Sequence, residues 1–237
     1  MLSKNQIKLI QSLTRKKKRD EFRLFVAEGE KLVADLLPHF ECLHLFATNA
    51  AFADADLISE VEMKKITHLT TPSSALAVFQ QKESVYDAAE VDRSLSIALD
   101  DIQDPGNLGT IIRVADWFGI PYVFCSPACA DVYNSKTVKA TMGALSRVQV
   151  VYVDLSTLLQ GVSCPVFGTF MDGENIYQVD LPKAGVIVLG NEGQGISSAV
   201  ENLLTRRLSI PSFGDKTSES LNVAMATGIV CSEFRRR

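Results

Sequence analysis

Five polar side chains in the C-terminal half are spaced as a reacting site would need them. Asn107 and Arg113 lie in LDDIQDPGNLGTIIRVADWFGI (99–120), Glu192 follows the apolar run Val186–Leu189 in VIVLGNEGQG, and Ser220 and Asn222 flank Leu221 before a final helical pattern. A carboxylate at the carboxyl end of a buried strand costs free energy unless it meets a donor. Arginine and asparagine supply donors, so this set could orient a polar ligand and assist movement of its proton. Each residue also has a plainer reading: Asn107 caps a helix, Ser220 or Asn222 caps another, and Arg113 is a surface arginine. That all five fall at strand ends or helix starts favours one shared pocket, in the place where open α/β sheets bind ligands.

Other chemistries fit the sequence poorly. No G-x-G-x-x-G follows the first strand of this half, and no Walker-type lysine loop occurs, which argues against dinucleotide and nucleotide-triphosphate sites. There is no H-E-x-x-H or G-x-S-x-G, and His39, His44 and His68 all lie in the N-terminal part, against a histidine-based hydrolase. The five cysteines are scattered without a C-x-x-C pair. No metal is expected, and a reducing cytosol suits the cysteine pattern best.

The elements that must position these residues alternate. From Leu95 onward, strands are expected at Leu95–Leu99, Tyr122–Cys125, Val148–Val153, Val166–Phe170 and Val186–Leu189. Helices are expected at Leu108–Phe118, Asn134–Leu145, Ser156–Gln160 and from Ser197. This alternation implies a mostly parallel sheet with helices on both faces. Before it lies a smaller α/β domain. A capping box at Ser3 and Gln6 opens a short amphipathic helix, Phe22–Val26 and Cys42–Ala47 read as strands, and Glu28–Leu37, Leu57–Ile66 and Ser73–Phe79 as helices. The expected division is a domain over 1–85, a linker over 86–94 and a second domain over 95–237. The alternative for the charged stretch ESVYDAAEVDR (83–93) is a solvated helix within one domain.

The chain has 237 residues, 46% hydrophobic, and a formal net charge of −4, which excludes an indiscriminate polyanion coat. Its first 23 residues nevertheless hold eight Lys/Arg against two acids, concentrated in Arg15, Lys16, Lys17, Lys18 and Arg19. Two readings of this cluster stay open, a nucleic-acid contact and a solvated helix face. No apolar run approaches the ~20 residues of a membrane span, and the N-terminal stretch lacks the pattern of a secretion signal. The expected location is the cytoplasm.

These residues carry a resemblance. N-x₅-R in the first segment, GNEGxG in the second and IP…SLNVAxATGI in the third look like the three motifs of the SpoU family of RNA ribose 2′-O-methyltransferases, within the SPOUT superfamily. The likeness covers about 95–235. The basic residues before Phe25-Val26-Ala27-Glu28-Gly29 are more weakly similar to the substrate-binding domain of several members. The resemblance implies a methyltransferase domain whose C-terminal segment threads a loop to form a trefoil knot, a topology that general folding rules would exclude. It further implies S-adenosylmethionine as cofactor, contacted at Gly190, Ile210 and Leu221, and a homodimer through this domain. Asn107, Arg113, Glu192, Ser220 and Asn222 occupy the family's catalytic motif positions, with Arg113 in the place assigned to proton acceptance. Free arginine is a poor base, so a nearby phosphate or a strongly perturbed guanidinium would have to assist in that role. On this basis Arg113 is the expected partner of Glu192. The loop Pro211–Ser220 is about two residues longer than the common form, which leaves the choice between Ser218 and Ser220 open. The expected substrate is ribosomal RNA, with Arg15, Lys16, Lys17, Lys18 and Arg19 contacting it. The alternatives are a transfer RNA, a non-catalytic RNA-binding member, or, outside the family, a nucleotide-dependent oxidoreductase.

Overall fold

A computed structural model describes residues 2–214 and 220–236. The chain forms two compact units, the first made of residues up to 83 together with 131–146, the second of 84–130 and the rest from 147.

The first unit opens with α1 (Lys4–Ser12), where Ser3 Oγ accepts from the Gln6 amide and Gln6 Oε1 accepts from the Ser3 amide, the reciprocal cap read from the sequence. It continues through α2 (Lys16–Phe22), β1 (Leu24–Glu28), α3 (Glu30–Leu36), β2 (Cys42–Ala47), β3 (Asp56–Leu57), α4 (Glu60–Ile66) and β4 (Ala75–Gln80). Among the described residues the sheet order is β1-β4-β2-β3, with β4 antiparallel to both β1 and β2. The helix expected over Ser73–Phe79 is therefore wrong; this stretch is the strand β4. Ala75-Leu76-Ala77-Val78-Phe79 is buried without interruption: β1 and β2 pair with its two edges, and side chains on both of its faces are packed against other elements. A continuous apolar run of that length has no period to separate strand from helix.

In the second unit, α5 (Ala88–Arg93) occupies the stretch read as a linker. Asp87 caps it by accepting from the Ala89 amide, Val91 is fully buried, and Tyr122 Oη donates to Glu90. β5 (Leu95–Asp100), α6 (Pro105–Trp117) and β6 (Tyr122–Cys125) follow. The chain then returns to the first unit for α7 (Ser135–Thr141) and a 3₁₀ turn at Ala144–Ser146. Residues 131–146 thus leave the second domain to which their sequence position assigned them. Two contacts explain this. Tyr133 packs its ring 4.8 Å from that of Phe25, and the buried Arg19 guanidinium donates twice to Asp131 Oδ2 and to the carbonyls of Leu13 and Thr14. An unpaired buried guanidinium would be costly, so Asp131 is drawn to it. Sequence separation hides the pair.

The second unit is completed by β7 (Gln149–Tyr152), α8 (Leu155–Gly161), β8 (Val166–Asn175), β9 (Gly185–Gly190), α9 (Ser198–Glu201), β10 (Arg206–Ser209) and α10 (Val223–Arg236). Its sheet, among the described residues, has the order β10-β8-β9-β5-β6-β7, and every neighbouring pair is parallel, as the alternation implied. β5, β6 and β9 are buried on both faces, the signature of a covered parallel sheet. Helices α6 and α10 lie side by side and point the same way. Asn222, just before α10, bonds Asn107 in the first turn of α6, while Arg235 near the end of α10 donates to the carbonyls of Phe118 and Gly119 beyond α6.

Candidate active site

The strand order fixes where a ligand can sit. From β5 the chain steps outward to β6 and β7, then returns to build β8, β9 and β10 on the other side of β5. The direction of winding reverses between β5 and β9, so the loops leaving their carboxyl ends part and open a crevice. One loop leads into α6 and Asn107, and the other carries Glu192.

Asn107 stands in the first turn of α6, but it does not cap that helix. Asp104 does, its Oδ1 accepting from the Asn107 amide at 2.7 Å, with Pro105 at the first helical position. Gly106 makes room for this cap, since a Cβ there would lie 2.9 Å from Asp104 Oδ1. With its backbone satisfied by Asp104, the Asn107 side chain is free to turn toward the crevice. Its Nδ2 donates to Glu192 Oε1 at 2.5 Å, and its Oδ1 accepts from Asn222 Nδ2 at 3.0 Å. Asn222 uses its own Oδ1 to accept from the Ala224 and Met225 amides, which caps α10 as expected. One residue from each motif is thereby joined into a chain, Asn222 to Asn107 to Glu192. Every donor points toward the carboxylate, so each bond polarises the next.

β9 ends at Gly190, and residues 191–195 close into a loop through paired backbone bonds between Asn191 and Gly195 of 3.0 and 2.9 Å. A Cβ at Gly190 would come within 2.3 Å of the Gly195 carbonyl carbon, so only glycine allows this closure. The loop projects Glu192 outward, exposed to solvent except where Asn107 meets it.

The remaining expected residues are placed differently. Arg113 is exposed on α6 and forms no hydrogen bond or ion pair among the described residues. The expected Glu192–Arg113 pair is therefore absent, and Glu192 takes Asn107 instead. Ser220 is exposed and makes no hydrogen bond among the described residues. Ser218, the other candidate in that loop, lies outside the described residues. Ile210 follows β10 and is half-buried, Leu221 is exposed, and among the described residues neither backbone forms a hydrogen bond. In the first unit, Lys16 pairs with Asp20 at 2.8 Å and Lys18 with Glu21 at 2.7 Å, both at the surface, while Arg15 and Lys17 are exposed. Arg19 is 3% exposed and fully engaged, which removes it from any surface contact set.

Sequence reasoning missed Asp104 and Asn191. The Asp-Pro-Gly order before a helix is a cap signature that would have identified Asp104. Asn191 carries no comparable signal for its tie between loops, because the acceptor for its Nδ2, the Asp101 carbonyl, lies 90 positions away.

Comparison with known proteins agrees with this arrangement. Residues 94–232 match the model of the SpoU rRNA Methylase family, and residues 4–77 that of an MRM3-like substrate binding domain. The 23S rRNA (guanosine(2553)-2′-O)-methyltransferase RlmP of Bacillus subtilis is 30% identical, over 98% of this chain and 97% of that protein. A candidate RNA methyltransferase of the TrmH family from Porphyromonas gingivalis superposes with a TM-score of 0.88 at 41% identity, covering 100% of this chain and 99% of that one. An rRNA methyltransferase from Sinorhizobium meliloti, solved with AdoMet bound, superposes with a TM-score of 0.85 at 30% identity, covering 100% of this chain and 96% of that one. A family match across more than half of the chain, with a relative of this identity along nearly its whole length, means that the chain belongs to the SpoU rRNA methylase family.

Proposed function

We propose that this protein transfers a methyl group from S-adenosylmethionine to a ribose 2′-hydroxyl of ribosomal RNA. The observation that carries the reading is the chain of Asn222, Asn107 and Glu192, which unites the three motifs at the switch point of the sheet. The residues present suit the cofactor. Ile210 and Leu221 have main-chain groups that are unpaired among the described residues, near the strand ends where Gly190 also lies. These three would hold S-adenosylmethionine through backbone contacts. When bound, it supplies a methyl group already activated on a sulfonium.

The protein must then hold the 2′-hydroxyl in line and help its proton leave. Glu192, fixed by Asn107, offers an acceptor with one defined orientation. Arg113, unpartnered among the described residues, is available to a phosphate or ribose oxygen. A guanidinium is a weak base, so its main contribution is to orient the sugar and offset the backbone charge. Ser220 would join Asn222 in fixing the loop before α10.

The first unit would bind the RNA. It holds 14 Lys/Arg against 12 Asp/Glu, whereas the second holds 10 against 16 and repels a polyanion overall. Arg15, Lys16, Lys17 and Lys18 form its surface cluster. Trp117 on α6 is 85% exposed and Met225 on α10 is 64% exposed. The family resemblance implies a homodimer through the methyltransferase unit, and these two side chains would offer it apolar surface. The return of Asn222 to Asn107, after the loop that follows β9, is compatible with the family's knot. The cytoplasm is the compartment such a substrate implies, and no helix among the described residues is long and apolar enough to cross a membrane.

The test is transfer of labelled methyl from S-adenosylmethionine to ribosomal RNA, ribosomal subunits and transfer RNA. Label resistant to alkaline cleavage at one ribosomal nucleotide is expected. Label in transfer RNA alone overturns the substrate, and no label in any RNA overturns the activity.

A further inference from the structure

We propose that Asn191 is a positioning residue that determines where Glu192 stands, by clamping the loop after β9 to the loop after β5. This rests on the function proposed above. In the ladder between these strands the last pair is Asp100 with Gly190. One residue further, the pairing continues through a side chain: Asn191 Nδ2 donates to the Asp101 carbonyl at 2.8 Å. Asp101 is placed to receive it by an uncommon backbone, a non-glycine φ of 60°. Its amide is held from the other side by Ser126 Oγ at 2.9 Å, and the next amide, of Ile102, donates to Cys129 Sγ at 3.3 Å.

The Asn191 amide has only one workable orientation. Its Oδ1 accepts from the Gly193 and Gln194 amides at 2.8 and 3.1 Å. Turning the group over would set oxygen against the Asp101 carbonyl and NH₂ against two N–H donors. The side chain therefore shapes its own loop with one atom and ties it to the neighbouring loop with the other. Asp101 leads through Asp104 to Asn107, and Asn191 is followed by Glu192, which Asn107 meets. The Asn191–Asp101 and Asn107–Glu192 bonds thus close the two loops into a ring. Without the first bond, the loop keeps its own closure between Asn191 and Gly195 and the Asn107–Glu192 contact, but it is no longer tied to Asp101.

Two variants isolate the donor. Asn191→Asp keeps the oxygen for Gly193 and Gln194 but faces the Asp101 carbonyl with a second oxygen; Asn191→Ser keeps an oxygen, adds no charge and cannot reach. Both should lower kcat for methyl transfer by about tenfold or more. KM for RNA and for S-adenosylmethionine should stay within about twofold, the melting temperature within a few degrees, and amide exchange over 191–195 should speed up. In a Glu192→Ala background either change should add less than about twofold, since its route of action is gone. A wild-type protein that methylates no RNA sinks the function reading and this inference together. Wild-type activity with unchanged kcat in either variant sinks this inference alone. So does a variant effect that keeps its full size without Glu192, which would mean Asn191 acts elsewhere.

Discussion

Replacing Asn107 by Asp tests the site most directly, because it alters one atom in the middle of the three-residue chain. The acceptor toward Asn222 survives, but the donor to Glu192 becomes an oxygen facing a carboxylate. Two unit charges about 3 Å apart repel by about 1.4–2.8 kcal/mol at an effective dielectric of about 40–80, the range appropriate to so exposed a pair. Loss of a hydrogen bond to a charged group adds about 1.5–3 kcal/mol, reduced here by solvent. A combined effect of about 2–4 kcal/mol at the transition state corresponds to about 30- to 1,000-fold in kcat/KM. Stability should change little, since the side chains meet at the surface, and the melting temperature should move by a few degrees at most. The assay is single-turnover methyl transfer to ribosomal RNA, with thermal unfolding as control. The double variant Asn107→Asp with Glu192→Gln restores a donor–acceptor pair in reverse. If the pair serves only to join the loops, the double variant should recover most of the loss. If the carboxylate itself is needed, it should not. Asn107→Asp activity within threefold of wild type would refute the claim that this bond organises the site.

Further expectations concern both units. Asp131→Ala leaves Arg19 buried with only carbonyl partners and should cost about 3–5 kcal/mol in chemical denaturation, whereas the paired change Arg19→Met with Asp131→Leu should cost much less. Neutralising Lys16, Lys17 and Lys18 should lower the slope of log affinity for RNA against log salt by about 2, while the Arg19→Met/Asp131→Leu protein keeps the wild-type slope. His68 is half-buried between Ser135 Oγ and the Ile10 carbonyl, and its partial burial holds its pKa below the usual 6.5. The unfolded chain therefore takes up the proton first. Stability from this group is complete above pH 6.5 and falls as pH drops toward the folded value. Thermal unfolding at pH 7.5 and 5.5 should show a drop in wild type that His68→Gln reduces.

Much of the fold was legible in the residues alone. The parallel sheet was legible from apolar runs such as Val186–Leu189 spaced by helical patterns, since strands covered on both faces must be continuously apolar. Three short motifs were legible through their resemblance to a family pattern, and one residue from each, Asn107, Glu192 and Asn222, meets the others in the structure. The same logic failed at Ser73–Phe79, where an apolar run without period becomes the strand β4 only because β1 and β2 flank it. The pairings came only with the fold. Glu192 met Asn107 and not Arg113, because Asp104 capped α6 and released the Asn107 side chain toward β9. Arg19, one of five basic residues that look alike in sequence, was taken from the surface by Asp131, and residues 131–146 joined the first unit around that pair. A hydrogen bond or a buried ion pair between residues about a hundred positions apart leaves no periodic trace in the chain. It exists only once the strand order has brought its two ends together.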